Sequence, residues 1–98
     1  MRVIWSARAM ENLRMIFEYI SADSPQNAQQ VLIALSERPR VLAQFPLIGS
    51  QTPELSDKNI RELLQYSYRI IYKVKPDEVE ILTVIHCKQS FRQSFYKK

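Results

Sequence analysis

The chain has 98 residues, 46% of them hydrophobic and 24% charged, with one Gly, one Cys and a formal net charge of +4. That length gives one small domain over residues 1–98 with room for a single core, and the composition excludes disordered and fibrous classes. The lone Cys87 excludes an internal disulfide framework or a multi-cysteine zinc site, and no apolar run approaches the roughly 20 residues that span a bilayer.

Val3-Ile4-Trp5 is a short apolar run expected to form a first strand. Ser6 follows as an N-cap, its hydroxyl placed to accept from a free amide in the first helical turn. From Ala7 to Ile20 the residues Met10, Leu13, Ile16, Phe17 and Ile20 recur at three- and four-residue steps. This predicts a helix with one buried face and with Arg8, Glu11, Arg14 and Glu18 on the wet side. Ser24-Pro25 opens a second helix, with proline at the first position, where its missing N–H costs nothing. The stripe Ala28, Val31, Leu32, Leu35 and Leu42 is interrupted by Pro39, which predicts a kink or break near Glu37–Arg38. The short connection makes the pair an antiparallel hairpin of helices.

Phe45 to Ser50 ends the helical half, and the residues on to Asn59 read as a loop. The period then changes to two. Ile60–Leu64, Tyr68–Lys75 and Val79–His86 are predicted strands, joined at Gln65-Tyr66-Ser67 and at Pro76-Asp77. The order β-α-α-β-β-β gives an α+β domain, with the helical hairpin packed on one face of a small antiparallel sheet that the first strand joins. On the middle strand Tyr68, Ile70, Tyr72 and Val74 share one face, and Arg69, Ile71, Lys73 and Lys75 the other. On the last strand Val79, Ile81, Thr83 and Ile85 oppose Glu80, Leu82, Val84 and His86; alternation does not decide which set meets the helices. Phe91 and Phe95, one helical turn apart, predict a short helix or a docked extension.

Charge is uneven: residues 1–49 carry +1 and residues 50–98 carry +3, with four cations and no acid from Ile81 onward. The basic end fits either a negative partner or a solvated tail that keeps a small protein soluble. Standard phosphate-loop, hydrolase and metal motifs are absent, and no metal or other cofactor is expected. Cys87 reads as a packed or inert thiol, and His86 as either a site residue or a polar strand end. What remains is a basic constellation of Arg61, Arg69, Lys73, Lys75, His86, Lys88 and Arg92. It suits phosphate and carboxylate alike. The alternative has Arg61 paired with an internal acid and Arg69 snorkelling at the sheet edge. Cleavage of RNA needs an acid–base pair beside a cationic clamp, and the sequence shows the clamp without the pair.

The ordered pattern "WSARAMENLRMIFEYI", "LAQFPLIGS", "IRELLQYSYRIIYKV" and "VEILTVIHCKQSF" resembles the ParE branch of the RelE/ParE toxin superfamily, over Val3 to about Arg92. The opening resembles that branch's W-[ST]-x-x-A-x-x-D-L-x-x-I-x-x-Y-I, with Asn12 at the Asp position. Two departures are Pro39, where relatives continue the helix, and "HCKQS" in place of H-G-x-R-[DN]. The resemblance implies a cytoplasmic bacterial toxin of a type II toxin–antitoxin pair. It is neutralised in a hetero-oligomer by a ParD-like or similar antitoxin, whose tail wraps the helical hairpin and sheet. ParE-like toxins inhibit DNA gyrase and block replication; RelE-like relatives cut messenger RNA in the ribosomal A site.

Arg69 matches a cation of both branches, but the arginine that RelE-type enzymes carry after the last core strand falls at Gln89 or Lys88. The nuclease set is therefore incomplete, and a non-enzymatic toxin is expected; a ribosome-dependent endoribonuclease using Arg69, His86 and Tyr96 is the alternative. The expected target contacts are Arg61, Arg69, His86, Lys88 and Arg92. Those to the antitoxin are Leu13, Phe17, Leu35, Arg69 and Lys73. Arg69→Ala is accordingly expected to weaken antitoxin binding or toxicity more than it lowers stability.

Overall fold

The computed structural model describes residues 1–91. Strand β1 (Arg2–Trp5) leads into helix α1 (Ala7–Ser21) and helix α2 (Pro25–Glu37), then a 3-10 helix (Arg38–Ala43). Strands β2 (Ser50–Gln51), β3 (Ile60–Gln65), β4 (Tyr68–Val74) and β5 (Glu78–His86) follow. The α+β architecture is the expected one. Five strands lie in the order β1-β5-β4-β3-β2, with β2 to β5 antiparallel and β1 joining β5 in parallel, Val3 opposite Val79 and Trp5 opposite Ile81. The sheet is thus mixed, and β2 is a strand where the sequence indicated loop.

Both helices start where a serine can satisfy a free amide. Ala9 N donates to Ser6 Oγ at 3.0 Å and Asn27 N to Ser24 Oγ at 3.2 Å. Pro39 has no N–H to give the carbonyl four residues back, so α2 stops at Glu37 and the chain tightens into the 3-10 helix. That turn still delivers the fully buried Leu42 to the core. On α1 the inward stripe is shifted from the expected one: Ala9 is fully buried, Leu13 and Ile16 half-buried, and Met10 60% exposed.

The helices cover one face of the sheet. Leu35 and Leu42 pack there with Leu63, Ile70, Tyr72, Val79, Ile81 and Val84. A second apolar cluster of Ile60, Ile71, Ile85 and Phe91, flanked by Leu55 and Leu82, fills the other face. Phe91, one of the two residues expected in a short helix or a docked extension, is buried completely; Phe95 lies outside the described residues. A bulge decides the facing of β5, because Ile71 pairs with Thr83 and Tyr72 with Ile81, leaving Leu82 as the extra residue. Before it Val79 and Ile81 face the helices; after it Val84 does, and Ile85 turns away.

The lone glycine is fixed by a close approach. Gly49 N donates to Tyr72 Oη at 3.0 Å, and a Cβ at this position would lie 2.5 Å from the Glu62 carbonyl oxygen. Burial raises the Tyr72 phenol, while the Gly49 N–H, Arg61 and Arg38 pull it down.

Candidate functional site

Arg69 lies on the face of β4 away from the helices and is only 6% exposed. Its Nη1 and Nη2 each donate to a Glu54 oxygen at 2.7 Å, Nε donates to Glu62 Oε1 at 2.8 Å, and Nη1 also donates to Gln89 O at 3.0 Å. Glu54 Oε2 accepts from Phe91 N as well, at 2.9 Å. Three segments, namely the loop after β2, strand β3 and the chain beyond β5, are thereby tied to one guanidinium. Hydrogen bonds from Arg69 hold the Glu54 carboxyl down to about 2, with burial opposing and the Phe91 N–H assisting. The same pairing holds the guanidinium above its usual range.

Two carboxylates around one guanidinium leave this group of three side chains negative. A phosphate arriving at Arg69 would have to displace Glu54. The sequence reading placed no acid here, and two are present. Glu62 was legible in principle: Arg69 pairs with Leu64 across the hairpin, and Glu62 is two residues along on the same face. Glu54 comes from a loop, and no periodicity points to it. The alternative weighed for the two arginines is reversed. Arg69 has the internal acids, whereas Arg61 donates to the carbonyls of Lys58 at 2.9 Å and Gly49 at 2.8 Å.

His86 is on the other side of the sheet. It pairs with Tyr68, and the two rings meet edge to face at 5.7 Å between centroids. His86 Nδ1 accepts from Lys88 N at 3.1 Å, and His86 N donates to Gln89 Oε1 at 3.0 Å. The fold therefore does not bring Arg69 and His86 together. Lys88 is exposed in the turn after β5, beside Glu54 and Arg69. Cys87 is exposed too, which removes the packed alternative of the two expected, because the strand has ended at His86 and the turn faces solvent. Arg92 and Tyr96 lie outside the described residues.

Of the residues assigned to an antitoxin, Leu13, Phe17 and Lys73 are half-buried, while Leu35 is fully buried and belongs to the core. The structure adds a groove of about 480 Å³ between α1 and β5, lined by Arg8, Asn12, Met15 and Tyr19 on the helix and by Val84 and His86 on the strand. Strand β1 ends at Trp5, so among the described residues β5 runs on without a neighbour strand on that side. Ser6 Oγ donates to Leu82 O at 2.9 Å, and Val84 N donates to Asn12 Oδ1 at 3.0 Å. Met15 and Tyr19, 55% and 82% exposed, stand over this edge. The alignment of residues 8, 12, 15 and 19 is a helical stripe that the core-centred reading passed over. Among the described residues no cluster of three or more His, Cys, Asp or Glu could hold a metal, and no helix is long and apolar enough to cross a membrane.

Residues 3–91 match the family model of the ParE toxin of the type II toxin–antitoxin system parDE. A putative toxin, Y4kP, of Sinorhizobium fredii is 35% identical over 94 residues, covering 94% of each chain. Toxin RelE2 of Caulobacter vibrioides is 33% identical over 86 residues, covering 87% of this chain and 93% of that one. Among solved structures, a chromosomal ParDE system from P. aeruginosa superposes with a TM-score of 0.73 at 22% identity, covering 88% and 95%. The RelBE2 toxin–antitoxin complex from Mycobacterium tuberculosis gives 0.56 at 18%, covering 87% and 88%. With that match over nearly all the described residues, and with the helical hairpin laid on the sheet as described, the chain belongs to the ParE toxin family of type II toxin–antitoxin systems.

Proposed function

We propose that this toxin acts in the cytoplasm by binding, in the ParE manner, with DNA gyrase as its target, and that a ParD-like antitoxin restrains it through the hairpin and sheet. The observation that carries the reading is the Glu54–Arg69–Glu62 group. Its arginine is neutralised internally and lies on the opposite face of the sheet from His86, so the clamp and acid that RNA cleavage would combine are apart. The groove between α1 and β5 suits the antitoxin. It offers Met15 and Tyr19 at helical spacing, the feature that helical peptide segments use, beside a stretch of β5 whose Val84 N and Leu82 O are already bonded to the Asn12 and Ser6 side chains.

Purified toxin added to gyrase and relaxed plasmid should block supercoiling or trap cleaved DNA. Full turnover at excess toxin would refute gyrase as the target. A second reading, messenger RNA cleavage, is favoured by one feature: Glu54 supplies a carboxylate beside Arg69. Mapping RNA ends after induction tests it, and no new A-site ends are expected.

A further inference from the structure

At the sheet edge opposite α1, Phe45, Leu47 and Ile48 are 58%, 56% and 57% exposed and, with Pro46, line a shallow hollow ahead of β2. Single exposed hydrophobics are ordinary, but three within four positions form a patch. The loop is held in shape rather than loose. Ile48 N donates to Phe45 O at 3.2 Å, and Arg61 Nη1 donates to Leu47 O at 3.4 Å and Gly49 O at 2.8 Å. A preformed apolar surface gives up less entropy on binding.

Arginines adjoin this loop, with Glu37 the exposed acid next to them in sequence. Arg2, Arg14 and Arg69 have carboxylate partners, but among the described residues Arg38, Arg40 and Arg61 form no ion pair. Arg38 Nε donates to the Leu64 carbonyl at 3.3 Å, and Arg38 and Arg61 both act through their fields on the Tyr72 phenol, which is bonded to Gly49. Arg40 is exposed in the last turn of the 3-10 helix that leads into this loop. Unpaired guanidinium groups around aliphatic anchors complement a segment carrying carboxylates and apolar side chains. Nucleic acid fits less well, because two of the three exposed side chains, Leu47 and Ile48, are aliphatic and only Phe45 offers bases a stacking face.

We infer that the Phe45–Ile48 loop and its flanking arginines dock the toxin's target through an acidic, apolar protein segment, separately from the antitoxin surface on α1 and β5. This rests on the reading of the protein as a binding toxin and deepens it by assigning the contact surface.

The test uses the full chain, comparing the unaltered protein with Leu47→Asp/Ile48→Asp and with Arg40→Glu. Each is scored for thermal midpoint, for affinity to the cognate antitoxin and for growth arrest when expressed without it. The double variant should stay folded, keep antitoxin affinity within about twofold and lose arrest at least about tenfold, a loss of the size expected when interface anchors are removed. Arg40→Glu should lose less, and it judges the proposal if the double variant does not fold. Unchanged arrest overturns the proposal. So does antitoxin affinity that falls together with arrest, or binding of the unaltered chain to duplex DNA that the variants weaken. An unaltered chain that arrests nothing leaves no target for the surface and overturns it too. Arrest without any effect on supercoiling would remove gyrase alone, with the variants still deciding the surface.

Discussion

Glu54 and Arg69 meet as a two-pronged pair, each carboxylate oxygen 2.7 Å from a different guanidinium nitrogen. The arrangement is nearly dry, with side-chain exposures of 14% and 7%. Removing one member of a buried pair strands the other's charge, at about 3–5 kcal/mol. Arg69→Ala strands two carboxylates and should lower stability by at least that order, seen as a large fall in the urea midpoint. Arg69→Lys should recover only part, because an ammonium cannot grip Glu54 with two parallel bonds. A midpoint unchanged in Arg69→Ala, with toxicity lost, would restore the contact role that the sequence implied.

The same pair sets an acid limit. Glu54 titrates at about 2 in the folded chain against an ordinary 4.5, so the folded state holds the ionised form more tightly than the unfolded chain does. The stabilisation is complete above the ordinary value and fades as pH falls from 4.5 towards 2. Over that span the difference in pKa amounts to about 3 kcal/mol. Thermal midpoints measured from pH 6 down to pH 2.5 should fall more steeply in the unaltered chain than in Glu54→Gln. Parallel slopes would show that Glu54 is not the group responsible.

Gly49→Ala should cost about 1–3 kcal/mol, the usual range for forcing extra atoms into a packed site. Its Cβ would collide with the Glu62 carbonyl, part of the β3 backbone that cannot swing aside. Tyr72→Phe leaves the Gly49 N–H without its acceptor and should cost about 1–3 kcal/mol. Chemical unfolding of both variants checks the two figures, and native stability in either one excludes this packing account.

Tyr19→Ala should leave stability within about 0.5 kcal/mol, since the side chain is 82% exposed. Antitoxin affinity should drop about tenfold or more if the groove receives it. Calorimetric titration with the purified antitoxin separates this from Leu35→Ala, which removes core packing and should be seen first in the thermal midpoint.

What was legible in the sequence was what neighbours along the chain decide. The serine caps at Ser6 and Ser24 and the stop at Pro39 depend on amides within one helical turn. The meander follows from period-two stretches with short connections. Strand β2 was invisible because its two residues, Ser50 and Gln51, have no pattern of their own and are ordered by Glu62 and Arg61 across the ladder. The facing of β5 was open because a single extra residue, Leu82, reverses the alternation midway. Arg69 stood out in the sequence as a cation, but its surroundings depend on a loop carboxylate, Glu54, fifteen residues away. Identity at one position conveys little about which distant acid will reach it.

The parallel pairing of β1 with β5 has a consequence for how the toxin comes into being. Arg2 bonds to Glu78, and Ser6, the cap of α1, donates to the carbonyl of Leu82, each across 76 positions. Contacts between such distant positions form late, after the closure of a long loop. A nascent chain that has not yet delivered β5 can make the helical hairpin but not the edge that α1 and β1 close against. The groove matures with β5, so a partner that needs it must wait until that strand has been made.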